Sequence, residues 1–391
     1  MPLFAGMAQG ASAPTRCERA EILPGQYTGL SAFDWSTQPA KAGTPVPFRI
    51  GLWGDSLTSS PDFMDAALGA SAIPAASVLP SFIQAGMKVA GLRLPLRASC
   101  ATEGWQAAYA HKDPHATAGF SQGMLSMRAG SPGEAVFLDF RAPQPSTRVA
   151  ALTVLYEKPA PDSSLLLAVS IDGAAEKLVS LSRVSGGTLA ITPAQPMATI
   201  RLRVVSGQAT LHGFVPRYEH PPVVVLDTMS VPGGLLRGWS HVDARIIAGT
   251  LPDYDLVLVQ YGTNEGAAPG FRNEKYRAYL HANLARLRLF YPRARCILIG
   301  PPDRGTLAPA SPDALKNAFI HHQIAQAQQQ VAPAYRCSFW NWQLAMGGPG
   351  AALRWFQMTP PRMQPDLTHM TAAGYAASGR LFGTTYPLHQ P

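Results

Sequence analysis

Phe48-Arg49-Ile50-Gly51-Leu52-Trp53-Gly54-Asp55-Ser56-Leu57 is the stretch that decides the fold. Its mostly apolar first part reads as a buried strand, and Gly54-Asp55 closes it with a sharp turn. Ser60-Pro61-Asp62 then starts a helix, with Phe63, Met64, Ala67 and Leu68 on one face. A strand, a tight turn and a helix make the opening unit of an α/β sheet. Its reactive groups belong in the loops at the carboxyl ends of the strands.

The same rhythm returns after residue 219. Val223–Leu226, Leu256–Gln260, Cys296–Gly300 and Ser338–Trp342 read as strands. Asn273–Tyr291 carries Tyr276, Leu280, Leu284, Leu287 and Phe290 at helical spacing, and Pro312–Gln330 reads as a helix capped by Ser311. Near-continuous apolar strands alternating with helices predict a parallel sheet covered on both faces. Between residues 89 and 218 the texture differs. Ala135–Phe140, Arg148–Tyr156, Leu165–Ile171, Lys177–Leu181, Thr188–Ile191, Thr199–Val205 and Ala209–Val215 are short segments parted by turns such as Asp172-Gly173. They predict a β-sandwich or jelly roll that interrupts the α/β unit between its first and second strands. The organisation read from the chain is therefore an arm at 1–35, α/β parts at 36–88 and 219–391, and the inserted sandwich at 89–218.

Composition agrees with this picture and excludes others. The 391 residues hold 35 Gly and 36 Pro but only 14% charged side chains, which disfavours a helical bundle or coiled coil. The net charge is +8, with the basic residues scattered, so the footprint of a nucleic-acid groove is missing. No apolar stretch is long enough for a transmembrane helix. Met1 to Ala13 is small and apolar and ends in Ala11-Ser12-Ala13, which fits a signal-peptidase site and predicts export. The four cysteines, Cys17, Cys100, Cys296 and Cys337, lack the spacing of a zinc site. They can form two disulfides in any of three pairings, and Cys296 and Cys337 also suit buried free thiols.

Four segments carry candidate chemistry. Ser56 follows the first strand in a turn that can lift its hydroxyl and free its N–H, although strand-end serines also serve as helix caps. Ser230-Val231-Pro232-Gly233-Gly234 can bring a backbone N–H close to a substrate oxygen. Asn264, in Tyr261-Gly262-Thr263-Asn264-Glu265-Gly266, can donate its side-chain amide to a developing oxyanion. Asp366-Leu367-Thr368-His369 places a carboxylate and an imidazole on one side of a single turn, as a general base and its orienting partner require.

In this order, Gly54-Asp55-Ser56-Leu57, the later Gly, Gly262-x-Asn264 and Asp366-x-x-His369 resemble the four sequence blocks of the SGNH/GDSL hydrolase family. The resemblance implies a three-layer, flavodoxin-like α/β fold and a serine esterase. Ser56 would be the nucleophile, His369 the base and Asp366 its partner. The oxyanion hole would comprise the Ser56 N–H, the Gly233 N–H (with Gly234 as the alternative) and Asn264. Asp55, Thr263 and Glu265 would line the substrate site. Neither a metal nor another cofactor is implied. Gln260-Tyr261-Gly262-Thr263-Asn264-Glu265 and the inserted sandwich are similar to peptidoglycan O-acetylesterases, in which the insert resembles a carbohydrate-binding module. The segment after Ser56 departs from that group. The implied substrate is an O-acetylated polysaccharide, in a periplasmic or secreted protein associated with cell-wall or exopolysaccharide machinery. A polysaccharide O-acetyltransferase would use the same site, and a non-catalytic polysaccharide-binding protein is the alternative from another class. In the insert, Trp105, Tyr109, Tyr156 and Phe214 are candidates for stacking on sugars.

Overall fold

The computed structural model describes residues 17, 46–112, 119–141, 147–182, 187–247, 253–267, 270–305 and 315–388. Apart from Cys17, the expected arm with its signal-like segment lies outside these residues, as does the Ser311 cap. A six-stranded parallel sheet runs in the order Cys337–Trp340, Arg295–Ile299, Leu256–Gln260, Phe48–Trp53, Val224–Thr228, Val78–Leu79. The decisive first strand is thus central, with Ile50 opposite both Leu226 and Leu256.

Period-2 alternation splits the sheet between two cores. Ile50, Leu52, Leu256, Leu258, Ile297 and Ile299 pack with Phe63, Met64, Ala67 and Phe382, from the Pro61–Ala70 and Ala372–Thr385 helices. Trp53, Val257, Val259 and Leu298 face the other way. There they join the Asn273–Phe290 and Lys316–Val331 helices and the inserted sandwich in one continuous core. Both faces are buried, which explains why the strands read as unbroken apolar runs.

The insert is a pair of antiparallel sheets. One orders Lys177–Leu181, Leu165–Ile171, Thr199–Ser206, Ala135–Asp139, Ala98–Ala101, and the other Thr188–Ile191, Val149–Tyr156, Ala209–Tyr218, Leu125–Ala129, Gln106–Tyr109. Two readings change. Val78–Leu79 is a short edge strand paired with Val224–Val225, so the interruption follows the second strand in the chain rather than the first. Ile83–Gln84 already pairs with Gly213–Phe214, so the chain enters the antiparallel sheets before residue 89. A two-residue strand carries no periodicity, which is why neither segment is visible in the sequence.

The sugar-stacking candidates are also corrected. Trp105, Tyr156 and Phe214 are buried in the sandwich core and only Tyr109 is partly exposed. Inward positions of a sandwich take large apolar side chains first, and these three occupy them. The cysteines pair as Cys17–Cys100 and Cys296–Cys337, the latter joining residues directly opposite each other on adjacent parallel strands.

Candidate active site

The turn after the first strand is built on an aspartate. Asp55 Oδ1 accepts the Leu57 N–H at 2.9 Å, and the Thr58 N–H bonds back to the Asp55 carbonyl at 3.3 Å. Such side-chain-to-backbone bonds reverse the chain within a few residues. Gln260, at the end of the neighbouring strand, locks the turn. Its Nε2 donates to Asp55 Oδ2 at 3.2 Å, and its Oε1 accepts the Asp55 N–H and the Thr58 hydroxyl, each at 3.2 Å. Gly54 is required here, since a Cβ would sit 2.1 Å from Thr58 Oγ1. Gln260 is fully buried and escapes sequence reading, because an apolar strand ending in Gln carries no sign of which neighbour it serves.

Asp55 is 0% exposed, so it supports the turn and does not touch substrate. Burial pushes its carboxyl up from 3.8 to about 7, against the pull of the Leu57 amide, and the charge of Glu265 adds to the rise. The folded protein therefore holds a proton here between about pH 4 and pH 7 that the unfolded chain has released. Its stability contribution falls as pH rises through that window and is level above it. Asparagine does not titrate. The melting temperature of Asp55→Asn relative to wild type is expected to rise between pH 5 and pH 8, and an unchanged difference would rule the assignment out.

Ser56 stands at the edge of this turn, with Oγ 2.9 Å from His369 Nε2. His369 Nδ1 lies 2.6 Å from Asp366 Oδ2. The other carboxylate oxygen, Oδ1, accepts the N–H groups of Thr368 and His369 at 3.0 and 2.9 Å, which closes the turn. Leu367 between them is buried with φ +48° and accepts the Gly305 N–H at 3.1 Å, anchoring the loop. Partial burial raises the Asp366 carboxyl, but the His369 imidazole and the two amides outweigh it and hold it below its usual value. An ionised Asp366 fixes a proton on Nδ1 and leaves the Nε2 lone pair for the Ser56 hydroxyl.

The candidate oxyanion donors lie on two further loops, the first of them tied to the Ser56 turn by the Val231 N–H, which donates to the Gly54 carbonyl at 3.0 Å. Gly233 takes φ +76°, and its N–H has no partner among the described residues. The Gly234 N–H is already spent on the Val231 carbonyl at 2.7 Å, so of the two glycines Gly233 is the one with a free N–H among the described residues. The Asn264 side-chain amide donates one hydrogen to the Gly234 carbonyl at 3.0 Å, leaving the second free. Loss of one oxyanion donor costs on the order of 10²–10³ in rate. Asn264→Ala is expected to lower kcat on 4-nitrophenyl acetate by that amount with KM little changed, and a loss under about fivefold would contradict the assignment.

The other two candidates for the substrate site sit in the loops around the turn. Thr263 is 2% exposed. The Glu265 carboxylate accepts the N–H groups of Gly262 and Leu236 at 2.9 Å each and the Tyr279 hydroxyl at 3.1 Å. It ties the two loops bearing Asn264 and Gly233 to the Asn273–Phe290 helix, and burial raises its pKa despite those bonds.

Residues 208–377 match the GDSL-like lipase/acylhydrolase family. The chain therefore carries a GDSL-like lipase/acylhydrolase domain over these residues. It is a carboxylic ester hydrolase. The matched residues begin just before the last strand of the insert, so Ser56 lies outside them and only the fold brings it to His369. No curated protein matches the chain. A solved peptidoglycan O-acetylesterase is 20% identical, covering 87% of this chain and 90% of its own, with a TM-score of 0.62. A family two carbohydrate esterase from Cellvibrio japonicus is 15% identical over 74% of this chain and 97% of its own, with a TM-score of 0.28. A lipase/acylhydrolase from Enterococcus faecalis is 18% identical over 42% and 76%, with a TM-score of 0.31.

Proposed function

We propose that this hydrolase removes O-acetyl groups from a polysaccharide through an acyl-serine intermediate. The observation that carries the reading is the line Asp366–His369–Ser56 beside free donors at Gly233 and Asn264. Ser56 Oγ attacks the acetyl carbonyl as its proton passes to His369 Nε2. The oxyanion is held by the N–H groups of Ser56 and Gly233 and the Asn264 amide. The C–O bond to the sugar then breaks, and the sugar oxygen takes the proton from His369. Water, deprotonated by His369, attacks the acetyl-serine and releases acetate.

Openness of the site favours hydrolysis over transfer. The side chains of His369 and Asp366 are 43% and 51% exposed, so bulk water reaches the acyl group directly. The polysaccharide assignment draws on the fold shared with the peptidoglycan O-acetylesterase. Two disulfides suit an oxidising compartment, which supports a periplasmic or secreted protein. Among the described residues no helix is long and apolar enough to cross a membrane.

The test is intact-mass and peptide mass spectrometry after brief exposure of the wild-type chain to 4-nitrophenyl acetate, followed by assay on O-acetylated polysaccharides. An acetyl adduct on the Ser56 peptide and free acetate from a polymer are the expected results. An adduct elsewhere, or acetyl groups moved to sugar with no acetate released, would overturn the reading.

A further inference from the structure

One of the segments with which the insert approaches the oxyanion turn is Tyr109-Ala110-His111-Lys112. The Ala110 carbonyl accepts from His241 Nδ1 at 2.8 Å, and the His111 carbonyl accepts from Arg237 Nε at 2.6 Å. These bonds dock the segment on the stretch that follows Gly233 and Gly234. His111 itself is 4% exposed, and its Nε2 has no hydrogen-bond partner. That nitrogen lies 3.9 Å from where a Cβ on Gly233 would stand. A buried polar atom left unanswered by the protein calls for an explanation.

Two cations flank it. Lys112 Nζ sits 3.9 Å above the Tyr109 ring, and Arg237 is held by its bond to the carbonyl. Neither pairs with a carboxylate among the described residues, whereas Arg141 and Arg245 lie 2.5 and 2.6 Å from Asp139 and Asp243. Burial and the charges of Lys112 and Arg237 lower His111 to about 4, so the imidazole is neutral and adds no third positive charge at neutral pH. Neutral groups thus hold both cations in place, and no carboxylate among the described residues pairs with either.

We propose that Arg237 and Lys112 form an anion-recognising rim that binds carboxylates carried by the acetylated polymer, so that acidic polysaccharides are selected over neutral ones. The inference rests on the acetylesterase reading and names its substrate class. Guanidinium and ammonium donors bind carboxylate with charge-assisted hydrogen bonds, and loss of one such partner corresponds to about a tenfold change in affinity. The inserted unit thereby contributes specificity at the catalytic face through one segment.

Binding is read apart from turnover in the full-length Ser56→Ala chain, by affinity electrophoresis through gels of polygalacturonate, poly-γ-glutamate or neutral xylan. Tighter binding to a polyanion than to xylan is expected, weakened about tenfold by Lys112→Gln or Arg237→Gln. Retention on polygalacturonate alone assigns the carboxylate to the sugar, and on poly-γ-glutamate alone to an attached peptide. Arg380→Gln, an exposed cation on the C-terminal helix, is the control for net charge. Equal weakening by all three substitutions, or none by any, overturns the proposal. In the active chain, Arg237→Gln is expected to lower kcat/KM on acetylated polygalacturonate about tenfold relative to 4-nitrophenyl acetate. Failure of the rim leaves the acetyl adduct on Ser56 intact, whereas failure of the esterase reading removes the adduct and not the binding.

Discussion

Alanine at position 56 is expected to lower kcat on 4-nitrophenyl acetate by on the order of 10⁴ or more, since a triad without its nucleophile retains only what the oxyanion donors and binding supply. The fold should be unaffected. The Ser56 hydroxyl bonds to His369 Nε2 at the open edge of the turn, so its removal leaves no buried polar group unsatisfied. Neighbouring serines offer no substitute. Ser59 Oγ donates to the carbonyls of Ser56 and Gly91, and Ser60 Oγ donates to Asp62. Turnover within tenfold of wild type, with an unchanged melting temperature, would place the nucleophile elsewhere.

Asp366→Asn is the second large effect, about 10³ in kcat/KM on the same ester. Both carboxylate oxygens act as acceptors, one for His369 Nδ1 and one for two backbone N–H groups. An amide has only one oxygen. If that oxygen keeps the backbone bonds, its NH₂ faces Nδ1 and drives the imidazole proton to Nε2, where the ring no longer accepts from Ser56. If the amide turns over, the loop loses its closure. A buried triad carboxylate costs about 10⁴ when made an amide. The half-exposed Asp366 should cost less, because water also solvates the imidazolium. A loss below tenfold would show that His369 orients itself without Asp366.

How much of this was legible in advance depended on how local each signal was. Leu256–Gln260 and Asn273–Phe290 declare themselves by period alone. Gln106–Tyr109 and Ala98–Ala101 do not, because Ala, Ser and Gln have little strand preference and gain their place by pairing with Leu125–Ala129 and Ala135–Asp139. The expected helix at 312–330 is seen from Lys316 to Val331. Among the candidate site residues, Asp366 and His369 were readable together because three residues of spacing make a turn. Gln260 was not, since its role exists only once the first strand lies beside it.

The sequence by itself determined the reactive segments and their order. Turn chemistry at Gly54-Asp55-Ser56, a glycine pair after a strand, an Asn at a strand end and an Asp-x-x-His turn are all set by residues within a few positions of each other. Tertiary structure decided which groups those segments meet. It joined Ser56 to His369 across 313 residues and assigned the free N–H to Gly233. It made Asp55 a buried tie within its turn, gave Glu265 hydrogen bonds to two loops, and paired Cys296 with Cys337. The reason is physical: a hydrogen bond or a burial cost depends on which groups meet, and here the groups that meet lie far apart in the chain.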